Sequence, residues 1–413
     1  MTGISKFNPE AFADDMQQRT RKEQHFEEFE TKLPDPKSAA MTILQPNGFS
    51  IGSIVRKVGD LNPFGKNVGK DDIVWLLDNT AYRTSRLKSW EAEFVAAVFE
   101  KEPKVKVADM VASIAEQVGL ADDAKERATI HDRLLPFLWD IRMARIVKVD
   151  QQSKELKMSP TSINGIATDN LKISKADKGQ IIKMSAKTPN GVHGILDAKT
   201  TYAGPEGWGI ISDIDDTIKV TMTSDPMGII ENTFVNPAMP IPGMPELYAQ
   251  IKSALPDDTP WFYLSASPYN LYPFLKDFRD KFFPHGTLIL RDFSWKTITG
   301  LLTALTMGTE KYKVDRLKKV NSWLPKRKMI VIGDSTQSDP EAYGEIYRNA
   351  PGWIKLILIR KATDVSAIGI KDKNEPERFE KAFEDIPREA WHVFEDPAEC
   401  ASIIQDTIAR DGQ

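Results

Sequence analysis

At 413 residues, with 41% hydrophobic and 28% charged positions, the chain has the composition of a soluble globular protein and the length for two domains. A formal net charge of -4 gives no global electrostatic case for nucleic acid as a partner. A single cysteine, Cys400, excludes an internal disulfide and fits a reducing compartment, and no apolar run approaches the roughly 18 residues of a transmembrane segment.

Residues 1–38 are rich in Gln, Glu, Lys and Arg, lack the apolar core of a secretory signal and end in Pro34-Asp35-Pro36-Lys37. They read as a flexible, solvated polar arm, partly helical at most. From about 41 to 83 the apolar residues are strand-like, as in Ile73-Val74-Trp75-Leu76-Leu77. Trp90, Phe94, Val95, Val98 and Phe99 then show helical spacing, followed by Val107, Met110, Val111 and Ile114, and by Ile130, Leu134, Leu135 and Leu138. Between 143 and 203 short alternating segments return, broken at Gly165, Asn170, Gly179 and Gly191. Residues 39–205 are therefore predicted to be a β-rich module with inserted helices.

Gly204-Pro205-Glu206-Gly207 marks the boundary to a third segment, 206–413. Strands are expected around 208–212, 261–264, 288–290, 329–332 and 354–359, separated by amphipathic helices around 244–255, 270–283, 309–323 and 338–349. Strand–helix alternation implies an α/β fold with a mostly parallel sheet. In such sheets ligands lie beyond the carboxyl ends of the strands.

Three expected strands end in reactive side chains. Gly209-Ile210-Ile211-Ser212 runs into Asp213-Ile214-Asp215-Asp216-Thr217, Trp261-Phe262-Tyr263-Leu264 into Ser265-Ala266-Ser267-Pro268, and Met329-Ile330-Val331-Ile332 into Gly333-Asp334-Ser335-Thr336-Gln337-Ser338-Asp339. A helix carrying Lys311 and Lys313 lies between the second and third. Phosphoryl transfer uses such a set: one carboxylate as nucleophile, a second as acid and base, oxygen ligands for Mg²⁺, and a hydroxyl and an ammonium against the transferring oxygens. A turn after Asp213 lets one of the two neighbouring carboxylates face phosphorus and the other the leaving group.

In order and spacing these residues resemble the haloacid-dehalogenase-like phosphatases. The longer stretches Ser212–Lys219, Tyr263–Pro268 and Gly333–Asp334–Ser335 with Asp339-Pro340-Glu341 resemble the fungal and bacterial actin-patch phosphatidate phosphatase family, strongly over about 205–360. The resemblance implies a haloacid-dehalogenase-like Rossmannoid domain and Mg²⁺-dependent conversion of phosphatidate to diacylglycerol through an aspartyl-phosphate. It makes Asp213 the nucleophile and Asp215 the acid/base, which also ligates metal through its carbonyl. Ser265, Lys313 and Thr217 become phosphate-binding groups, with Lys311 the second choice for the lysine. Asp334 and Asp339 complete the metal set. It implies a cytoplasmic enzyme, peripheral at membranes or actin patches, whose partner is a phosphorylated lipid.

Other residues carry weaker signals. Asp216 reads as a turn carboxylate and Ser267 as a structural hydroxyl before Pro268. Asn62-Pro63-Phe64 resembles a motif bound by endocytic adaptors, which allows a scaffold role with incidental catalysis. The basic runs Arg316-Leu317-Lys318-Lys319 and Lys326-Arg327-Lys328 are solvated charges or contacts to anionic lipid. The segments flanking the 261–264 strand are too short for a large cap, so an open site is expected, suited to a lipid headgroup. The same chemistry on a prenyl diphosphate, an inositol phosphate or a phosphoprotein is the alternative.

Overall fold

The computed structural model describes residues 7–33, 65–83, 89–101, 107–117, 119, 124–151, 154–292, 298–364 and 371–411. Asn62-Pro63-Phe64 lies outside the described residues. Helix α1 (Pro9–Glu23) and the short α2 (Phe26–Glu30) come first. Asn8 caps α1 by accepting a hydrogen bond from the Ala11 amide at 3.2 Å, and Pro9 brings a fixed φ to the first turn.

The module that follows contains β1 (Lys66–Asn67), β2 (Asp72–Leu76), β3 (Asn79–Arg83), β4 (Trp90–Glu100), α3 (Val107–Gln117) and α4 (Ala124–Leu138). It continues with β5 (Arg145–Ile146), β6 (Lys148–Gln151), β7 (Lys154–Lys157), β8 (Ile166–Ile173), β9 (Ile181–Lys187), β10 (His193–Ile195) and β11 (Asp197–Tyr202). All but the short parallel pair β1–β5 join one mixed sheet in the order β10-β2-β4-β3-β11-β9-β6-β7, with β8 also paired to β4. The helical spacing read at Trp90–Phe99 is thus corrected to a strand. β4 alternates buried and half-buried residues as far as Val95 and then buries Ala96, Ala97, Val98 and Phe99 in succession, so its apolar positions fall three and four apart by accident. The two helices expected after it are present.

The third segment contains β12 (Glu206–Asp213), α5 (Pro226–Ile230), α6 (Met244–Ala254), β13 (Trp261–Pro268), α7 (Tyr272–Phe282) and β14 (Thr287–Arg291). Next come α8 (Ile298–Thr306), α9 (Thr309–Trp323), β15 (Lys326–Asp334), α10 (Asp339–Asn349) and β16 (Ile354–Arg360). It ends with α11 (Pro376–Ala382), β17 (Trp391–Phe394) and α12 (Cys400–Arg410). Its sheet is parallel throughout, in the order β14-β13-β12-β15-β16-β17. The central strands are buried on both faces, which explains their continuous apolar runs. Among the described residues no helix is long and apolar enough to cross a membrane.

Module and parallel sheet share a core. Trp75, Phe99 and Phe137 of the module lie in one apolar cluster with Ile214, Tyr263 and Leu301. Buried Arg279 pairs with buried Asp78 at 2.8 Å, and Thr80 meets Thr287 hydroxyl to hydroxyl at 2.7 Å. Part of the basic sequence serves this packing: Lys319 pairs with Glu93 of β4, and buried Arg327 donates to the carbonyls of Gly204 and Trp208.

The expected solvated arm is likewise corrected over residues 9–30. Ala13, Met16, Gln17 and Thr20 of α1 are buried, and α1 packs on α9 and α10. Where these helices meet, the Glu310 carboxyl is pushed up from its ordinary value of 4.5 to about 8 by burial and by Glu345, Glu10 and Glu341. A raised carboxyl favours the fold only while protonated. Its contribution is full below the ordinary value and lost as pH rises through about 8. Glu310→Gln should therefore melt at a higher temperature than the wild type at pH 9 and close to it at pH 4, read by calorimetry at both. Melting temperatures that run parallel would refute the assignment.

Candidate active site

β12 is the third strand of six, between β13 and β15, so all three deliver their carboxyl ends to one place. Asp213 is the last residue of β12 and Asp334 the last of β15, while Ser265 follows Leu264, the register partner of Asp213. Beyond Asp213 the chain turns sharply. Asp216 adopts φ 61°, a left-handed conformation that Asp tolerates better than most residues. Its carboxylate holds the turn by accepting the amides of Thr221, Met222 and Thr223 at 2.7–2.9 Å and the Thr223 hydroxyl at 2.6 Å. Asp216 is thus a turn carboxylate, as read from the sequence.

That turn sends Asp213 and Asp215 to different neighbours. Lys313, in the second turn of α9, lies 2.9 Å from Asp213 Oδ1 and 2.6 Å from Asp339 Oδ1, all three buried. Lys311 is exposed, 3.7 Å from Glu10, so Lys313 is the lysine that reaches the carboxylates. Asp339 approaches because residue 333 is glycine: a Cβ there would sit 2.5 Å from the Asp339 Cβ. Thr217 Oγ1 donates to Asp334 Oδ2 at 2.7 Å and to Asp213 Oδ2 at 3.3 Å, so here it braces carboxylates. The Thr336 amide and hydroxyl both donate to Asp334 Oδ1.

Asp215 faces hydroxyls. It accepts Ser265 Oγ at 2.6 Å, Ser267 Oγ at 3.2 Å and Thr221 Oγ1 at 2.8 Å. Ser267, read as a structural hydroxyl, is therefore part of the site. Its signal was the two-residue spacing from Ser265, which puts both side chains on one side of an extended strand. Thr221 carried no comparable signal, and neither did buried Lys219, whose Nζ donates to Thr221 Oγ1 at 2.8 Å.

The electrostatics show a deficit of positive charge. Asp213 is held well above the ordinary carboxylate range by burial, with Lys313 opposing and Asp339, Asp334 and Asp215 adding to the rise. Asp334 is raised by burial and by Asp339, against Lys313, Thr336 and Thr217. The Lys313 ammonium is favoured despite its burial, because Asp213, Asp339 and Asp334 outweigh the loss of water. One ammonium does not neutralise three buried carboxylates. Asp213, Asp334 and Asp339 each present an oxygen within 4.8 Å of the others. Asp213 Oδ1 is buried without a hydrogen bond, since Lys313 Nζ sits close but off the hydrogen-bonding direction. An all-oxygen donor set with excess negative charge and spare lone pairs fits a hard divalent cation such as Mg²⁺. The Asp215 side chain is outside this group of three.

The open site expected from the short insertions is not found among the described residues. Asp213, Asp215, Ser265, Lys313, Asp334 and Asp339 are each 0–2% exposed. Packed helices lie against the loop that joins Asp334 to Asp339. α8, which has no charged residue, buries Leu301, Leu302 and Leu305 and lends the Leu305 carbonyl to Gln337, while α1 reaches Thr306 and Thr336 through Arg21 and Gln17.

Residues 208–361 match the family model described as phosphatidate phosphatase APP1, catalytic domain. Phosphatidate phosphatase APP1 of Saccharomyces cerevisiae is 33% identical over 162 residues, which are 38% of this chain and 27% of that protein. All seven residues of the expected site fall inside the matched stretch. Over residues 208–361, the chain is thus similar to the catalytic domain of the APP1 phosphatidate phosphatases.

Proposed function

We propose that this chain is a phosphatidate phosphatase with a haloacid-dehalogenase-like catalytic domain, acting through an aspartyl-phosphate on Asp213 with Mg²⁺ as cofactor. The observation that carries this reading is the division of labour at the end of β12. Asp213 lies among Lys313, Asp334 and Asp339, and Asp215, two residues on, lies among hydroxyls.

In the first step an Asp213 carboxylate oxygen attacks phosphorus and the bond from phosphorus to the lipid oxygen breaks. Asp215, in its acid form, gives its proton to the departing alkoxide, leaving diacylglycerol. In the second step water attacks the aspartyl-phosphate, Asp215 takes its proton, and inorganic phosphate leaves Asp213. Lys313 sets its ammonium against the phosphoryl oxygens and holds the Asp213 carboxylate in place. Ser265 orients Asp215 and offers its hydroxyl to the phosphate. Asp334, Asp339, the Asp213 carboxylate and the main-chain carbonyl of Asp215 would hold the cation, which when bound supplies charge neutralisation to the phosphoryl oxygens.

The substrate class rests on the family description and on the yeast relative's name. A lipid substrate places the enzyme at a membrane surface. The test is phosphate release from phosphatidate in mixed micelles with and without Mg²⁺, beside lysophosphatidate, a prenyl diphosphate, an inositol phosphate, a phosphopeptide and p-nitrophenyl phosphate. Mg²⁺-dependent release mainly from phosphatidate is expected. Release only from the soluble or prenyl substrates would keep the chemistry and overturn the lipid assignment.

A further inference from the structure

Asp334 and Asp339 are joined by the loop Ser335–Ser338, and the carbonyls of its first three residues are all held from outside the matched stretch. Arg378, in α11, donates to Ser335 O at 2.6 Å and Gln337 O at 2.5 Å. Lys373 Nζ donates to Thr336 O at 2.6 Å, and Gln17 Nε2 of α1 donates to the same carbonyl at 3.3 Å. Lys373 also reaches Gln17 Oε1 at 3.3 Å and Ser224 Oγ at 3.5 Å. Lys373, Arg378 and Gln17 are 2–3% exposed.

A buried ammonium or guanidinium is costly unless something is gained in return. Arg378 has an ion partner, bidentate Glu341 at 2.8 and 2.9 Å. Lys373 is in none of the ion pairs formed among the described residues. Its bonds go to a main-chain carbonyl, an amide and a hydroxyl. Burial and the neighbouring Arg378 accordingly pull its ammonium down to about 7, although Asp334, Asp216 and Glu341 lie near enough to oppose this. The geometry gives these groups a purpose. With its carbonyls drawn outward, the loop turns its Thr336 amide and hydroxyl inward onto Asp334 Oδ1 and brings Asp339 Oδ2 to the Asp334 amide at 3.2 Å.

We propose that Lys373, Arg378 and Gln17 are positioning residues for the reaction: a polar clamp that fixes the Ser335–Ser338 loop so that Asp334 and Asp339 hold a divalent cation. The amino-terminal helix and the segment after β16 are then parts of the catalytic unit, although residues 208–361 carry every carboxylate. The inference rests on the reading of the carboxylate cluster as a metal site.

The test uses the full chain and Mn²⁺ as probe, with binding followed by the electron paramagnetic resonance of free Mn²⁺. Lys373→Met keeps much of the side chain's length and removes the ammonium. It should weaken Mn²⁺ binding about tenfold, the loss typical when a group that orients a metal ligand is removed. At saturating Mn²⁺ the substrate KM should be unchanged, with the defect returning as metal is lowered. Gln17→Ala removes the weaker donor to the same carbonyl and should weaken binding about two- to threefold; it serves if Lys373→Met does not fold. Wild-type Mn²⁺ affinity in a folded Lys373→Met, or failing that in Gln17→Ala, would overturn the clamp while leaving the metal site standing. No Mn²⁺ binding by the wild type would overturn the metal reading and the clamp with it.

Discussion

Asp213→Asn is expected to lower phosphate release by at least about a thousandfold while the fold survives, because an amide is no nucleophile towards phosphorus and the change is nearly isosteric. The variant separates chemistry from stability through the sign of its second effect. Burial, Asp339, Asp334 and Asp215 raise the Asp213 carboxyl above its ordinary range. In the metal-free protein its contribution to stability is full below about pH 4 and is lost as pH rises above that. Asn carries no such penalty. In chelator at pH 8 the variant should melt above the wild type, and the gap should close towards pH 4. Added Mg²⁺ should narrow the gap at pH 8 by stabilising the wild type more. A variant that melts below the wild type at pH 8 would mean that Asp213 is a structural anion already satisfied by Lys313.

Lys313→Met should have the largest effect on stability. The ammonium is fully buried against Asp213 and Asp339, and its removal leaves two buried carboxylates facing each other and Asp334. Breaking a buried pair from one side costs about 3–5 kcal/mol, and chemical denaturation of the metal-free variant should show a loss of that size. Turnover should also fall, by about a hundredfold or more, with the loss of one preorganised cation at the phosphoryl oxygens. Double variants identify the cause. Adding Asp213→Asn to Lys313→Met should recover part of the stability, because it removes one of the uncompensated charges. A gain no larger than the one Asp213→Asn gives the wild-type protein would show that the lysine acts through packing alone.

The parallel sheet was legible because its strands are buried on both faces. Runs such as Gly209-Ile210-Ile211-Ser212 and Met329-Ile330-Val331-Ile332 are too apolar to be anything but core, and the carboxylate that ends each run is conspicuous. The choice between Lys311 and Lys313 needed the helix in place, since both sit in one polar stretch and only one points inward. β4 was misread because a strand that changes from one buried face to two loses its alternation. The packing of α1 was missed because its buried face holds Gln17 and Thr20 beside Ala13 and Met16, too little apolar surface to stand out from a charged segment. Lys373 and Arg378 left no trace of another kind. They act on main-chain carbonyls, which have no sequence.

The central claim is that the phosphoryl group passes to Asp213, and trapping that group tests it most directly. Phosphatidate labelled with ³²P in the headgroup would be mixed with excess enzyme and Mg²⁺, quenched in acid within one turnover, and the protein counted. Protein-bound label that requires Mg²⁺, is released by hydroxylamine as an acyl phosphate is, and is absent from Asp213→Asn is the expected result. Labelled phosphate released at the full rate with no label on the protein, or turnover preserved in Asp213→Asn, would contradict it.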